Sequence, residues 1–162
     1  MNWANKIILF FLCITTSIHA QVEDYVKKLE AKYPKENFIT TLESKKFKIE
    51  LKNNSPKVYL ESYSETILMN DFLRGADEGS VGYSKFRKLT DVEAWTMTPV
   101  KDEYKKVKVA KYETKKELDN AIFHDDHEEK VFNYTELKRG AKRCLKSSYE
   151  FELPQMFDYV IL

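Results

Sequence analysis

Lys46-Phe47-Lys48-Ile49-Glu50-Leu51-Lys52-Asn53-Asn54-Ser55-Pro56 decides the fold class of this chain. Phe47, Ile49 and Leu51 alternate with charged residues, the period-two pattern of a strand with one apolar face. Asn53-Asn54-Ser55-Pro56 then has the composition of a turn, and a second strand is expected from about Lys57 to Met69. Working outward, Val107 and Val109 oppose Lys106 and Lys108, which predicts a strand from about Tyr104 to Tyr112. Glu129 to Tyr134 and Lys142 to Leu153 read as a hairpin turning at Lys138-Arg139-Gly140. Asn70 to Ser84 holds three of the four glycines and several acids, and reads as a long surface loop. Short alternating strands with polar turns predict a mostly β, antiparallel, sandwich-like domain over residues 37–162. A parallel α/β arrangement would need helical crossovers, and the intervals are too short and polar for them.

Before this region lies one amphipathic segment, residues 21–36, in which Val22, Tyr25, Val26, Leu29 and Tyr33 recur at three and four and Pro34 ends the helix. The first twenty residues have the layout of a secretory signal peptide: Lys6, the apolar run Ile7 to Ile14, and Ile18-His19-Ala20 ahead of Gln21. The run is about half of what a membrane-spanning helix needs, so cleavage and export to the periplasm or cell surface are expected, with no transmembrane anchor afterwards. Cys13 sits in the middle of that run, after Phe11-Leu12, which does not suit a lipid anchor.

Lys6 is the one charged residue among the first twenty, so the exported part balances its bases against its acids. Lysine and glutamate alternate along it, without the basic stripe a nucleic-acid binder would show. No nucleic acid is expected as a partner. Cys144 is the single cysteine after Ala20, so stability must come from packing, to which ten Tyr and ten Phe contribute.

Two clusters carry ligand or nucleophile chemistry. His124-Asp125-Asp126-His127-Glu128-Glu129 has the residue types of a zinc, manganese or calcium site, with His124, Asp126 and His127 as its candidate ligands. It also reads as a solvated turn entering a strand. Cys144 suggests a thiol nucleophile activated by His124 or His127, but it falls inside an alternating strand. There Leu145, Tyr149, Phe151 and Leu153 share the buried face, and Cys144 falls with Lys146, Ser148 and Glu150 on the other, as a half-exposed cysteine. Gly75, Gly79 and Gly82 lack the lysine of a phosphate loop, and no Gly-x-Ser-x-Gly elbow is present. Neither catalytic residues nor a cofactor are assigned. Tyr59, Tyr63, Phe132, Tyr134, Tyr149 and Phe151 are read either as core or as a carbohydrate- or peptide-binding groove.

The stretch from Phe123 to Ala141, with paired aspartates, the short aromatic strand Val131-Phe132-Asn133-Tyr134 and the turn Leu137-Lys138-Arg139-Gly140, resembles one family. That family is the N-terminal β domain of unknown function that precedes the transglutaminase-like domain in exported bacterial proteins. Tyr149, Ser80-Val81-Gly82-Tyr83-Ser84, Val92-Glu93-Ala94-Trp95 and Tyr104 to Val109 are also similar to it, so the resemblance spans roughly residues 57–155. It implies a non-catalytic β domain that supports or presents a neighbouring transglutaminase- or protease-like module in the cell envelope. That module orders Cys, His and Asp along the chain, and no histidine follows Cys144. The sequence is therefore expected to be a stand-alone remnant or truncated front end, its sandwich incomplete at the C-terminus. Phe157 to Leu162 is apolar and strand-like, and self-association through an unpaired C-terminal strand edge is expected. The alternatives are a carbohydrate- or peptide-binding module and a thiol- or metal-dependent enzyme built on Cys144 with His124 and His127.

Overall fold

The computed structural model describes residues 21–71, 75–101, 103–116 and 127–152. Asn53 and Asn54 both adopt positive φ, 51° and 59°, the conformation of a two-residue hairpin loop whose twist matches its strands. Lys52 pairs with Ser55 across it. This loop joins two long strands, β1 (Phe38–Lys52) and β2 (Ser55–Leu68). The turn is thus one residue pair tighter than its composition indicates, and Pro56 lies inside β2 opposite Leu51.

The remaining strands are β3 (Glu78–Tyr83), β4 (Arg87–Val100), β5 (Glu103–Lys108), β6 (Tyr112–Lys116), β7 (Glu128–Asn133) and β8 (Lys142–Phe151). They form two antiparallel sheets, ordered β1-β2-β8-β4-β5 and β3-β7-β6. Together with one described helix, α1 (Gln21–Lys32), this is the mostly β, antiparallel, sandwich-like architecture expected of the alternation.

Three local expectations are corrected. Asn70 to Ser84 is not one loop, because β3 runs through its second half. Gly79 is there for packing: it pairs with Phe132, and a Cβ on it would overlap the Phe132 ring and come 3.0 Å from Tyr134 Cε2. The expected strand from Tyr104 to Tyr112 breaks at Val109–Lys111. The chain there leaves β5 in one sheet and enters β6 in the other, with Val109 N–H donating to Ala94 O at 2.9 Å. β7 and β8 are not a hairpin, since Gly140 at φ 81° carries the chain from the small sheet into the large one. Leu153 and Phe157 to Leu162 lie outside the described residues. The last described strand, β8, is paired on both sides, by β2 and β4. Among the described strands, the edges of the large sheet are β1 and β5.

Between the sheets, Val58, Leu60, Ala94, Tyr149 and Phe151 meet Val81, Phe132 and Tyr134, all buried. Phe132 packs against Tyr112 and Tyr134 with centroids 5.3 and 5.4 Å apart, tilted and edge-on, the geometry that ring quadrupoles favour. A second, smaller core lies under α1, where Val26 is 1% exposed against Ile67 and Met69. Gly140 lets the helix approach, as a Cβ there would stand 3.2 Å from Val26 Cγ2. Arg139 beside it reaches Glu23 at 2.8 Å and Glu30 at 2.9 Å, fixing the helix by charge as well. No described helix is long and apolar enough to cross a membrane.

Candidate functional site

The strand register decides which side chains share a face. Opposite residues in an antiparallel pair project to the same side, so Glu65, Cys144 and Trp95 form one row across β2, β8 and β4. Tyr63, Lys146 and Glu93 form the next row on that side. This face is turned away from the sandwich core, which places Cys144 opposite in orientation to Leu145, Tyr149 and Phe151, as the alternation indicates.

Its exposure is the surprise, because Cys144 is fully buried at 0% rather than half-exposed. Tyr63 and Trp95 supply the cover: their rings stack at 5.8 Å and 19°. Lys106 Nζ sits 3.8 Å from the Trp95 centroid, within the range of a cation–π contact. Tyr63 is anchored by donating its hydroxyl to Glu65 Oε1 at 2.6 Å, and Lys142 donates to Glu65 Oε2 at 2.9 Å.

The electrostatics follow from this enclosure. Burial pushes the Cys144 thiol up from its ordinary value, against the opposing pull of the Tyr63 hydroxyl. The neutral thiol is thereby favoured, the reverse of an activated nucleophile. Burial likewise raises Tyr63, reinforced by its bond to Glu65. Glu65 is also raised by burial, but the Tyr63 and Lys142 hydrogen bonds outweigh that and hold its carboxyl below the usual range.

His127 lies elsewhere. Its Nε2 is 3.0 Å from where a Gly82 Cβ would be, and Arg87 Nη2 is 3.6 Å from that same point. Arg87 pairs with Phe151, seven residues along β8 from Cys144, a separation of roughly 23 Å at strand rise. Cys144 and His127 are therefore not brought together, while His124 and Asp126 lie outside the described residues. Among the described residues no group of three or more His, Cys, Asp or Glu side chains could hold a metal ion.

The six aromatics do not line one groove. Phe132, Tyr134, Tyr149 and Phe151 fill the core, and burial pushes the Tyr134 hydroxyl up to about 12. Tyr59 and Tyr63 belong to the opposite face of the large sheet. What the structure offers instead is a half-open pocket of about 660 Å³ on the small sheet, lined by Glu78, Lys111, Glu113, Lys115, Glu129 and Asn133 among others. Sequence reasoning missed it because β3 was hidden among loop-forming glycines.

No family model matches the chain. No curated protein matches it either. Among solved structures, it is similar to a crystal structure of a candidate protease from Parabacteroides distasonis, at 20% identity and a TM-score of 0.47. The match covers 59% of this chain and 20% of that one, so this chain spans about a fifth of that protein.

Proposed function

We propose that this chain is a non-catalytic, exported β domain that supports or presents a neighbouring module in the cell envelope, as its resemblance to domains preceding transglutaminase-like modules implies. The observation that carries the non-catalytic reading is the state of Cys144. It is sealed under Tyr63 and Trp95, its thiol is favoured in the neutral form, and His127 belongs to another part of the molecule. The described carboxylates with lowered pKa, such as Glu93 and Glu152, are engaged with lysines in surface ion pairs.

Treatment of the native chain with a small thiol reagent tests this directly. Position 144 should stay unmodified until denaturant is added, and rapid stoichiometric modification in native buffer would refute the reading. Cell fractionation should find the chain processed after Ala20 in the envelope, and in-cell crosslinking should capture an envelope protein beside it.

The pocket on the small sheet supports a second reading, a carbohydrate- or peptide-binding module. Its volume falls in the range of small-ligand sites. Its lining combines Ser80, Thr135 and Asn133 with charges of both signs, Lys111 and Lys115 against Glu78, Glu113 and Glu129, beside the apolar Val131 and Phe132, a mixture that suits a polar ligand such as a sugar or peptide. Calorimetric titration with peptidoglycan fragments decides it: saturable heat lost on Asn133→Ala supports the module, and flat isotherms end it.

A further inference from the structure

β1 is 15 residues long and, among the described residues, forms one edge of the large sheet. Exposed edges of this length are templates for pairing with another strand. Two observations show which part of it is prepared for a partner. Ile49 is 66% exposed and Leu51 77% exposed, although both project to the same side of the sheet as the buried Val58 and Leu60. The backbone direction agrees. In a two-residue hairpin the closing pair, here Lys52 and Ser55, exchanges both backbone hydrogen bonds, so Glu50 and Lys48 also bond to β2. Leu51 and Ile49 then direct their N–H and C=O groups away from β2. Pro56, which has no N–H, lies opposite Leu51 at the non-bonded position, consistent with that assignment.

The charges select the occupant. The strand reads Lys45-Lys46-Phe47-Lys48-Ile49-Glu50-Leu51-Lys52, and its lysines repel most strands that approach in an arbitrary register. A second copy of the same strand, antiparallel and centred on Ile49, meets no such barrier at the centre. Ile49 faces itself, Phe47 stands opposite Leu51 in register, and Lys48 faces Glu50 on both sides of the axis. Centring on Lys48 or on Glu50 sets that residue against itself, and centring on Phe47 sets Lys46 against Lys48; like charges directly opposite are destabilising. In the Ile49 register Lys46 faces Lys52. Each of these has compensation in its own hairpin: Lys46 lies opposite Glu61, and Lys52 lies 3.7 Å from Glu50 and 2.8 Å from the Tyr59 hydroxyl.

We propose that two copies of this chain associate edge to edge through β1, antiparallel about a two-fold axis at Ile49, with Lys48 of each copy opposite Glu50 of the other. The large sheet then continues from one copy into the next, and the interface is self-complementary, as a two-fold contact must be. Ile49 and Leu51 lose their exposure within a continuous apolar stripe.

Sedimentation equilibrium of the full chain, with circular dichroism to verify folding, tests the proposal. Concentration-dependent dimerisation is expected. Ile49→Lys, at an exposed side chain, should weaken it by at least about tenfold, equivalent to about 1.4 kcal/mol. Lys48→Glu and Glu50→Lys should each weaken it, and the double exchange should restore it, because opposite charges again face across the axis. Ile49→Cys should form an intermolecular disulfide between position 49 of both copies under mild oxidation, since paired positions stand about 5.5 Å apart. A monomer at every concentration overturns the proposal and leaves the edge to a different strand. So does a dimer indifferent to Ile49→Lys, or a charge exchange without rescue.

Discussion

One face of the large sheet is closed by a second sheet, and the other is closed by helix α1 over Ile67 and, over Cys144, by side chains of the sheet itself. On the inner face Leu60, Tyr149 and Phe151 meet Phe132 and Tyr134 across an apolar layer. On the outer face Cys144 reaches 0% exposure beneath Tyr63, Trp95 and Lys106, with Glu65 and Lys142 beside it. The comparison teaches that burial of a strand residue does not require a second layer of secondary structure. Two aromatic rings from neighbouring strands, held by one carboxylate and one ammonium, do the same for a small side chain.

Substitutions that strike one face and spare the other separate the two kinds of closure. The largest effect is expected from Phe132→Ala, which empties the centre of the inner layer and should cost about 3–5 kcal/mol in denaturant unfolding. Trp95→Ala should cost less, about 2 kcal/mol, because the ring is half-buried and loses one stacking partner. Its distinctive signature is modification of Cys144 by a thiol reagent in the folded state, which Phe132→Ala at mild temperature should not produce. If both variants expose the thiol equally, the outer roof has no separate existence.

Glu65→Gln should remove about 1–2 kcal/mol near neutral pH. Because the Glu65 carboxyl is held below its ordinary 4.5, its contribution is complete above that value and disappears as acid protonates the folded state. The parent chain should therefore lose stability on acidification below about 4.5 more steeply than the variant, whose profile lacks this component. The smallest effect concerns Thr96, fully buried on the inner face, whose hydroxyl has no hydrogen-bond partner among the described residues. Thr96→Val should be neutral or stabilising by up to about 1 kcal/mol, and a clear loss would show that the hydroxyl is satisfied after all.

The same contrast explains what could be read in the sequence. Phe47, Ile49 and Leu51 announce β1 because a strand at a sheet edge with one apolar face leaves a clean period of two. β4 leaves no such trace. A register shift between Leu89 and Asp91 breaks its alternation, and Ala94, Trp95, Thr96 and Met97 are consecutive and none is exposed, because both faces of the strand are in use there. β3 was masked by Gly79, whose reason is the Phe132 ring more than fifty residues later. For Cys144 the alternation assigned the correct face, yet its burial was illegible, since its cover comes from Tyr63 and Trp95 on other strands. Local pattern reports direction; long-range neighbours decide enclosure.

The position of β8 has a consequence for how the molecule is made. The last described strand in the chain is the middle strand of the large sheet, inserted between β2 and β4. A ribosome releases the first hairpin and the β4-β5 pair long before it releases Lys142–Phe151, so two half-sheets must wait with bare inner margins for the strand that joins them. Such non-local pairing is slow, and waiting margins invite aggregation. Synthesis halted ahead of Lys142 should yield inclusion bodies rather than a smaller soluble product.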